Sequence, residues 1–165
     1  MKMNHIIRLT KTLMNGFFGL YVLIVAFGNV TDYNSNFEFV KHVLSMDTTF
    51  EGNSLMYRAF TSPAVHHTGY IVIIAIEWLI AIACLYGAWN MARNIKKDAA
   101  SFHESKKWGL IGLLLGIGVW FLGFQVVGGE WFAMWQSQIW NGLDSAFRLT
   151  TYISAAIIAL MLQDK

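Results

Sequence analysis

Three long stretches without charge constrain this chain more than anything else in it. Thr12 to Thr31 is 20 residues with no charged side chain, Trp108 to Gly129 is 22, and Ala59 to Ala92 is 34 with Glu77 as its only charge. About 20 apolar residues, rising ~1.5 Å each, cross the ~30 Å hydrocarbon layer of a membrane. Each stretch is long enough to span. Composition points the same way, since 56% of the 165 residues are apolar and 13% are charged. The charged share is about half that of an average soluble domain. A water-soluble chain this short has too much surface for its volume to bury that apolar excess. The excess faces lipid.

A fourth span is shorter on its face. Leu149 to Gln163 is 15 uncharged residues. Extending it back through Arg148 to Leu143 brings it to about 20, and an arginine one turn inside the boundary reaches up to the headgroups. The predicted spans are therefore 12–30, 66–91, 108–128 and 143–162, with an outer loop over 31–63. They make one integral membrane domain over 1–165, an all-α bundle of four transmembrane helices. Basic residues orient it. With the N-terminus inside, Lys2, Arg8, Lys11, Arg93, Lys96, Lys97, Lys106, Lys107 and Lys165 fall inside, against Lys41, Arg58 and Arg148 outside. This is a positive-inside bias, and it puts both termini in the cytoplasm. A competing reading takes Lys2, Arg8 and Lys11, the following apolar run and "AFGN" (26–29) as a cleaved signal peptide. Asn15, Gly16 and Gly19 within the run suit a packed helix instead, so the span is expected to be retained.

The outer loop is not flexible in composition. "SNFEFVKHVLSM" begins with Ser35 and carries Glu38 three positions later, the pattern of a capping box. Phe37, Val40 and Leu44 follow at helical spacing. A short amphipathic helix on the outer membrane surface or over the bundle is predicted. A second capped piece is expected near Asn53 or Ser54, before "LMYRAF". Gly109, Gly112 and Gly116 line one face of span three, and Thr151, Ala155 and Ala159 one face of span four. Small residues let helices approach closely in lipid, within one chain or between chains. Gly128 and Gly129 are expected to end span three. Trp131, Trp135 and Ile139 then recur as one stripe of a short interfacial helix, where the ring is apolar and its N–H finds a polar partner.

Few residues are placed for chemistry. An ionised carboxylate within hydrocarbon must be neutral, paired or wetted, which makes Glu77 conspicuous. It lies seven residues below Tyr70, or ~10 Å. His66, Tyr70, Ile73 and Glu77 form one stripe. Arg148 enters from the same side to a comparable depth, and a Glu77–Arg148 pair across the bundle is expected. The pair reads either as a structural tie or as a proton or substrate site facing an outward cavity. Asn29, Asp32, His66, Tyr70, Glu130, Trp131, Trp135 and Gln136 are candidates to ring such a pocket. His42, Met46 and His66 offer imidazole and thioether groups to a metal. Adjacent His66 and His67 point apart on a helix, however, and spans one, three and four carry no histidine for a haem. No cofactor is expected. Phosphate-cradling loops, nucleophile elbows and paired-cysteine motifs are absent. The lone Cys84 excludes an internal disulfide. The basic inner loop follows from topology and headgroup attraction, so no nucleic-acid partner is implied.

The stretches "FGNVTDYNSNFEFVKHVLSMDTTF" (27–50) and "GGEWFAMWQSQIWNG" (128–142), with "RAFTSP" and "HHTGYIVIIAIEW", resemble a bacterial family of predicted small integral membrane proteins, named as a domain of unknown function. The resemblance covers nearly the whole chain. It implies a four-span protein of the bacterial cytoplasmic (inner) membrane with its outer loops in the periplasm, and it implies no activity and no functional residue. The expected role is a non-enzymatic subunit or accessory partner of an inner-membrane complex. Its expected partners are the bilayer and other membrane subunits or further copies of itself. The alternatives are a small oligomeric transporter coupled to protons or cations through Glu77, and a periplasm-facing metal or redox subunit.

Overall fold

The computed structural model of the protein describes residues 3–164. Lys2 and Lys165, counted above among the inner basic residues, lie outside the described residues. The chain forms α1 (Met3–Thr31), α2 (Tyr33–Ser45), a 3-10 turn at Met56–Arg58, α3 (Pro63–Asn94), α4 (Ala99–Glu104) and α5 (Lys107–Ile117). A wide helical segment at Gly118–Trp131 continues α5 directly, a second 3-10 turn covers Met134–Gln136, and α6 runs Leu143–Met161. Four helical segments are long and apolar enough to cross a membrane: Met3–Thr31, Pro63–Asn94, Ala99–Trp131 and Leu143–Met161. The result is a four-helix bundle. One end carries the two longer connections, 32–62 and 132–142, and is called the loop end below. The other, the terminal end, carries both ends of the described chain and α4.

Local chemistry sets the boundaries. Pro63 occupies the first turn of α3, where its missing N–H has no partner to lose. α2 stops at Met46, which takes a left-handed conformation (φ 54°) and returns its N–H to the carbonyl of Val43. Asp98 caps α4 by accepting from the backbone N–H of Ser101 at 3.0 Å. The Ser101 hydroxyl, donating to the same carboxyl, and that backbone bond hold Asp98 below its ordinary range. The piece expected near Asn53 or Ser54 is a single 3-10 turn that begins at Met56 without a side-chain cap, and Asn53 Oδ1 accepts from the N–H of Leu55 at 2.9 Å just ahead of it.

Three sequence expectations need correcting here. The Ser35–Glu38 capping box is not formed, because α2 begins at Tyr33, straight after α1, leaving Ser35 inside its first turn. Ser35 instead donates to Asp32 at 2.7 Å, and Glu38 accepts from Lys41 at 2.8 Å. Gly128 and Gly129 do not end span three. Beyond Ile117 the helix widens to bonds five residues apart, closing with Phe132 N–H on Val127 O at 3.0 Å, and it runs on through Trp131. Such π-type winding normally lasts one turn. Finally, Trp131, Trp135 and Ile139 do not share one helix, since Ala133 turns left-handed (φ 50°) between the first two.

The bundle core forms where small residues let backbones meet. Gly87 of α3 lies against the backbone of Gly109, Gly112 against Cys84, and Gly116 against Phe18 and Ile153. Gly109, Gly112 and Gly116 of span three therefore face inward. Around them pack Val22, Ile80, Met91, Leu113, Trp120 and Ala156. Polar ties cross the same interfaces: Asn15 donates to Cys84 O at 2.6 Å, and Gln125 to Thr150 at 2.8 Å. In lipid such bonds add about 1 kcal/mol each on top of close packing.

Candidate functional site

Glu77 is buried in α3 with 4% of its surface exposed, and its partner comes from α1. Asn29 Nδ2 donates to Glu77 Oε2 at 2.7 Å. Asn36 of α2 in turn donates to Asn29 Oδ1 at 2.7 Å. A single polar line, Asn36–Asn29–Glu77, therefore runs through three helices from the exposed side of α2 into the span. The predicted stripe on α3 brings Tyr70 to the same line, its hydroxyl at a long 3.5 Å from Asn29 O. Tyr33, Phe37 and His67 stack beside Tyr70, with Phe37 and His67 rings 4.2 Å apart and nearly parallel. Tyr33 Oη meets His67 Nδ1 at 2.9 Å.

The expected Glu77–Arg148 pair is not formed. Glu77 faces α1 from α3, whereas α6 packs on α5, its wide continuation and α1. Arg148 is exposed and donates to Ser145 at 3.0 Å, and among the described residues no ion pair joins it to Glu77. If the Glu77–Asn29 bond ties α1 to α3, Glu77→Gln keeps an acceptor for Asn29 and should leave the thermal midpoint in detergent nearly unchanged. Glu77→Leu strands Asn29 and should lose about 1–2 kcal/mol. Equal effects of the two substitutions would refute the tie.

The remaining pocket candidates separate into different places. Asp32 is exposed in the α1–α2 joint. His66 is buried, with Nε2 2.7 Å from Phe60 O, and so pins the loop to α3. Gln136 is buried and accepts from Phe50 N–H at 3.1 Å. Glu130 is exposed, and Trp131 and Trp135 are about half exposed on the loop end. The metal candidates also diverge. His42 Nδ1 lies 2.8 Å from Asp47 and its ring stacks on Trp140, Met46 is buried with Phe132 and Ala133, and His66 Nε2 is taken up by Phe60 O. Among the described residues no group of three His, Cys, Asp or Glu side chains is arranged to hold a metal. Near His42, the hydrogen bond from Lys41 holds the Glu38 carboxyl below its ordinary range.

Two features emerge that sequence reading did not anticipate. One is an apolar cleft in the loop-end half of the bundle, between α3 and the wide segment, with α2 along its side. It comprises adjoining cavities of about 460 and 820 Å³ that share Leu44, Gly69, Val127 and Phe132. Gly118, Gly123 and Gly128 recur along its wall at five-residue intervals, the interval of that segment's hydrogen bonds. Leu114, Leu122 and Val127 on the same wall are exposed, so the cleft opens sideways to lipid.

The other is a clasp at the terminal end. Lys11 Nζ reaches Asp164 Oδ1 at 2.8 Å and Leu162 O at 2.7 Å, and Lys106 Nζ meets Asp164 Oδ2 and Leu160 O. Arg8 donates to the carbonyls of Ile95 and Lys97, and its guanidinium lies over the Phe102 ring at 5.0 Å. Lys11, Lys106 and Asp164 side chains are at most 4% exposed. The visible signal was Asp164, an acidic residue just past the C-terminal end of span four.

A family model described as Predicted small integral membrane protein (DUF2165) matches residues 7–163. No curated protein and no solved structure matches the chain.

Proposed function

The chain belongs to this family of predicted small integral membrane proteins, and from that premise we propose that it is a non-enzymatic accessory subunit of a bacterial cytoplasmic membrane complex, with both termini in the cytoplasm. The observation that carries this reading is the direction of the span-four small residues. Thr151 and Ala155 are exposed and Ala159 half-buried, while Ala146, Ile153, Ala156 and Leu160 fill the core from the other side of α6. Span three uses Gly109, Gly112 and Gly116 inside the bundle, whereas span four leaves a small-residue stripe on the outside. In lipid, where apolar surface alone gives no drive to associate, such a stripe is where another helix packs closely.

The test is copurification in gentle detergent. The wild-type protein should come out with a stoichiometric membrane partner or a second copy, and Ala155→Phe should release it without lowering the thermal midpoint. A lone monomer, or an unaltered complex in Ala155→Phe, would sink the reading. A second reading, a small proton- or cation-coupled transporter, draws support from the Asn36–Asn29–Glu77 line, which connects an intramembrane carboxyl to the loop-end surface. Uptake driven by a pH gradient and lost in Glu77→Gln would favour it over the subunit.

A further inference from the structure

We infer that the loop-end cleft is a phospholipid site, holding one acyl chain between α3 and the wide segment with the lipid phosphate at Arg58. The inference is independent of whether the protein has a protein partner. It rests on the shape and chemistry of the cleft and on the charge at its mouth.

The shape comes from two different ways of packing along the same pair of helices. At the terminal-end half, Gly87 and Gly109 bring α3 and α5 into backbone contact. Towards the loop end the facing residues become Gly69, Ile73 and Ile76 on α3 and Gly118, Val119 and Leu122 on span three, with a cavity between them. A side chain at Gly118 would meet nothing within 4 Å. The cavity volumes fall within the ~300–1,000 Å³ typical of small-molecule sites. The lining side chains along this stretch are apolar, and the opening faces hydrocarbon. An acyl chain satisfies such a wall, whereas water would not.

The mouth supplies the recognition. Val126, Val127, Trp131 and Phe132 lead the cleft up to the loop end. There Arg58 lies over the Trp131 ring at 4.7 Å and over Tyr57 at 5.4 Å. Its Nη1 also touches the carbonyls of Trp131 and Glu130 at 3.3 and 3.5 Å. Stacking on two rings and contact with two carbonyls fix the guanidinium in place beside the entrance. With Nε donating to Tyr57 Oη at 3.2 Å and Nη1 to the two carbonyls, Nη2 is the donor left for a phosphate oxygen, and the charge complements an anionic headgroup. Tryptophan at this level matches the headgroup boundary. The phosphate and the chain end of one lipid thus have separate, adjoining places.

The experiment is native mass spectrometry of the full chain released from bilayer discs made of phosphatidylglycerol or of phosphatidylethanolamine. One lipid per chain should survive stepwise delipidation, the phosphatidylglycerol more firmly than the zwitterionic lipid. Gly118→Phe, which fills open space in the cleft, should abolish retention while helicity and thermal midpoint stay as in the wild type. Arg58→Gln should weaken retention about tenfold, as expected for one charge-assisted bond. It lies at the surface and stays informative even if the plug variant fails to fold. No retained lipid in the wild type, retention in both variants as firm as in the wild type, or a polypeptide crosslinked from Leu122→Cys in place of lipid would each overturn the assignment.

Discussion

Asp164→Ala is expected to lower the stability of the folded protein by about 3–5 kcal/mol, the range for removing one partner of a buried ion pair. Asp164 answers two buried ammonium groups at once, those of Lys11 and Lys106. Both lysines also cap the carbonyls that end α6, Leu160 and Leu162, where the helix dipole places negative charge. Without the carboxylate, two cations remain buried beside those carbonyls, and among the described residues no other carboxylate is paired with them. Asp164→Asn keeps the shape and should lose nearly as much, which would identify charge rather than packing as the cause. Thermal or denaturant unfolding in detergent reads both, and a loss below about 1 kcal/mol in each would refute the clasp.

The same carboxylate sets a pH dependence of known sign. Burial alone would push its pKa up, but hydrogen bonds and charge from Lys106 and Lys11 outweigh it and hold the folded value below the ordinary 3.8. A folded value lower than the unfolded one means stability that is fully present above the unfolded pKa and lost as pH falls through the folded value. The wild-type midpoint should therefore stay level from neutral pH down to about 4 and then fall. Subtracting the Asp164→Asn profile isolates this contribution, because Asp98 and Glu38 also titrate low and are common to both proteins.

Gly87→Ala is the second large effect expected, about 3 kcal/mol, at the upper end of overpacking penalties. A Cβ at this position would lie 2.3 Å from Gly109 N and 2.6 Å from Gly109 Cα. Both obstacles are backbone, so no side-chain rotation relieves them and α3 must move away from α5. That movement would also disturb the contact of Gly112 with Cys84, three residues along. Gly28→Ala in α1 is the matched control, since nothing lies within 4 Å of its added Cβ. The two variants should differ clearly in thermal midpoint, and coincident midpoints would mean that the helices do not approach as described.

Much of the architecture is legible in the residues because hydrocarbon tolerates little variety. Each crossing needs a long uncharged run, and Thr12–Thr31, Ala59–Ala92 and Trp108–Gly129 announce three of them. The α2 helix showed through the spacing of Phe37, Val40 and Leu44, two of which are buried against Tyr70. Its start was misplaced because Ser35 and Glu38 imitate a capping box that direct continuation from α1 makes unnecessary. The tryptophan segment misled for a related reason, since four-residue spacing assumes one helix, and the left-handed Ala133 breaks it.

Partner choice among polar side chains was the least legible part. Arg148 has the charge and approximate depth to answer Glu77, and depth is what a one-dimensional reading estimates. The rotation of α3 about its axis decided otherwise, turning Glu77 toward Asn29, 48 residues away in the chain. Likewise Lys11 and Lys106 counted only as topology-setting charges, yet both bind Asp164, 153 residues from Lys11 in the chain. By itself the sequence determined that four helical segments are apolar enough to cross a membrane, because solvation of each segment is a local, additive property. Only the tertiary structure decided which faces meet, where the cleft opens and which charges are buried together, because helix rotation is set by contacts such as Gly87 on Gly109 that no single segment contains.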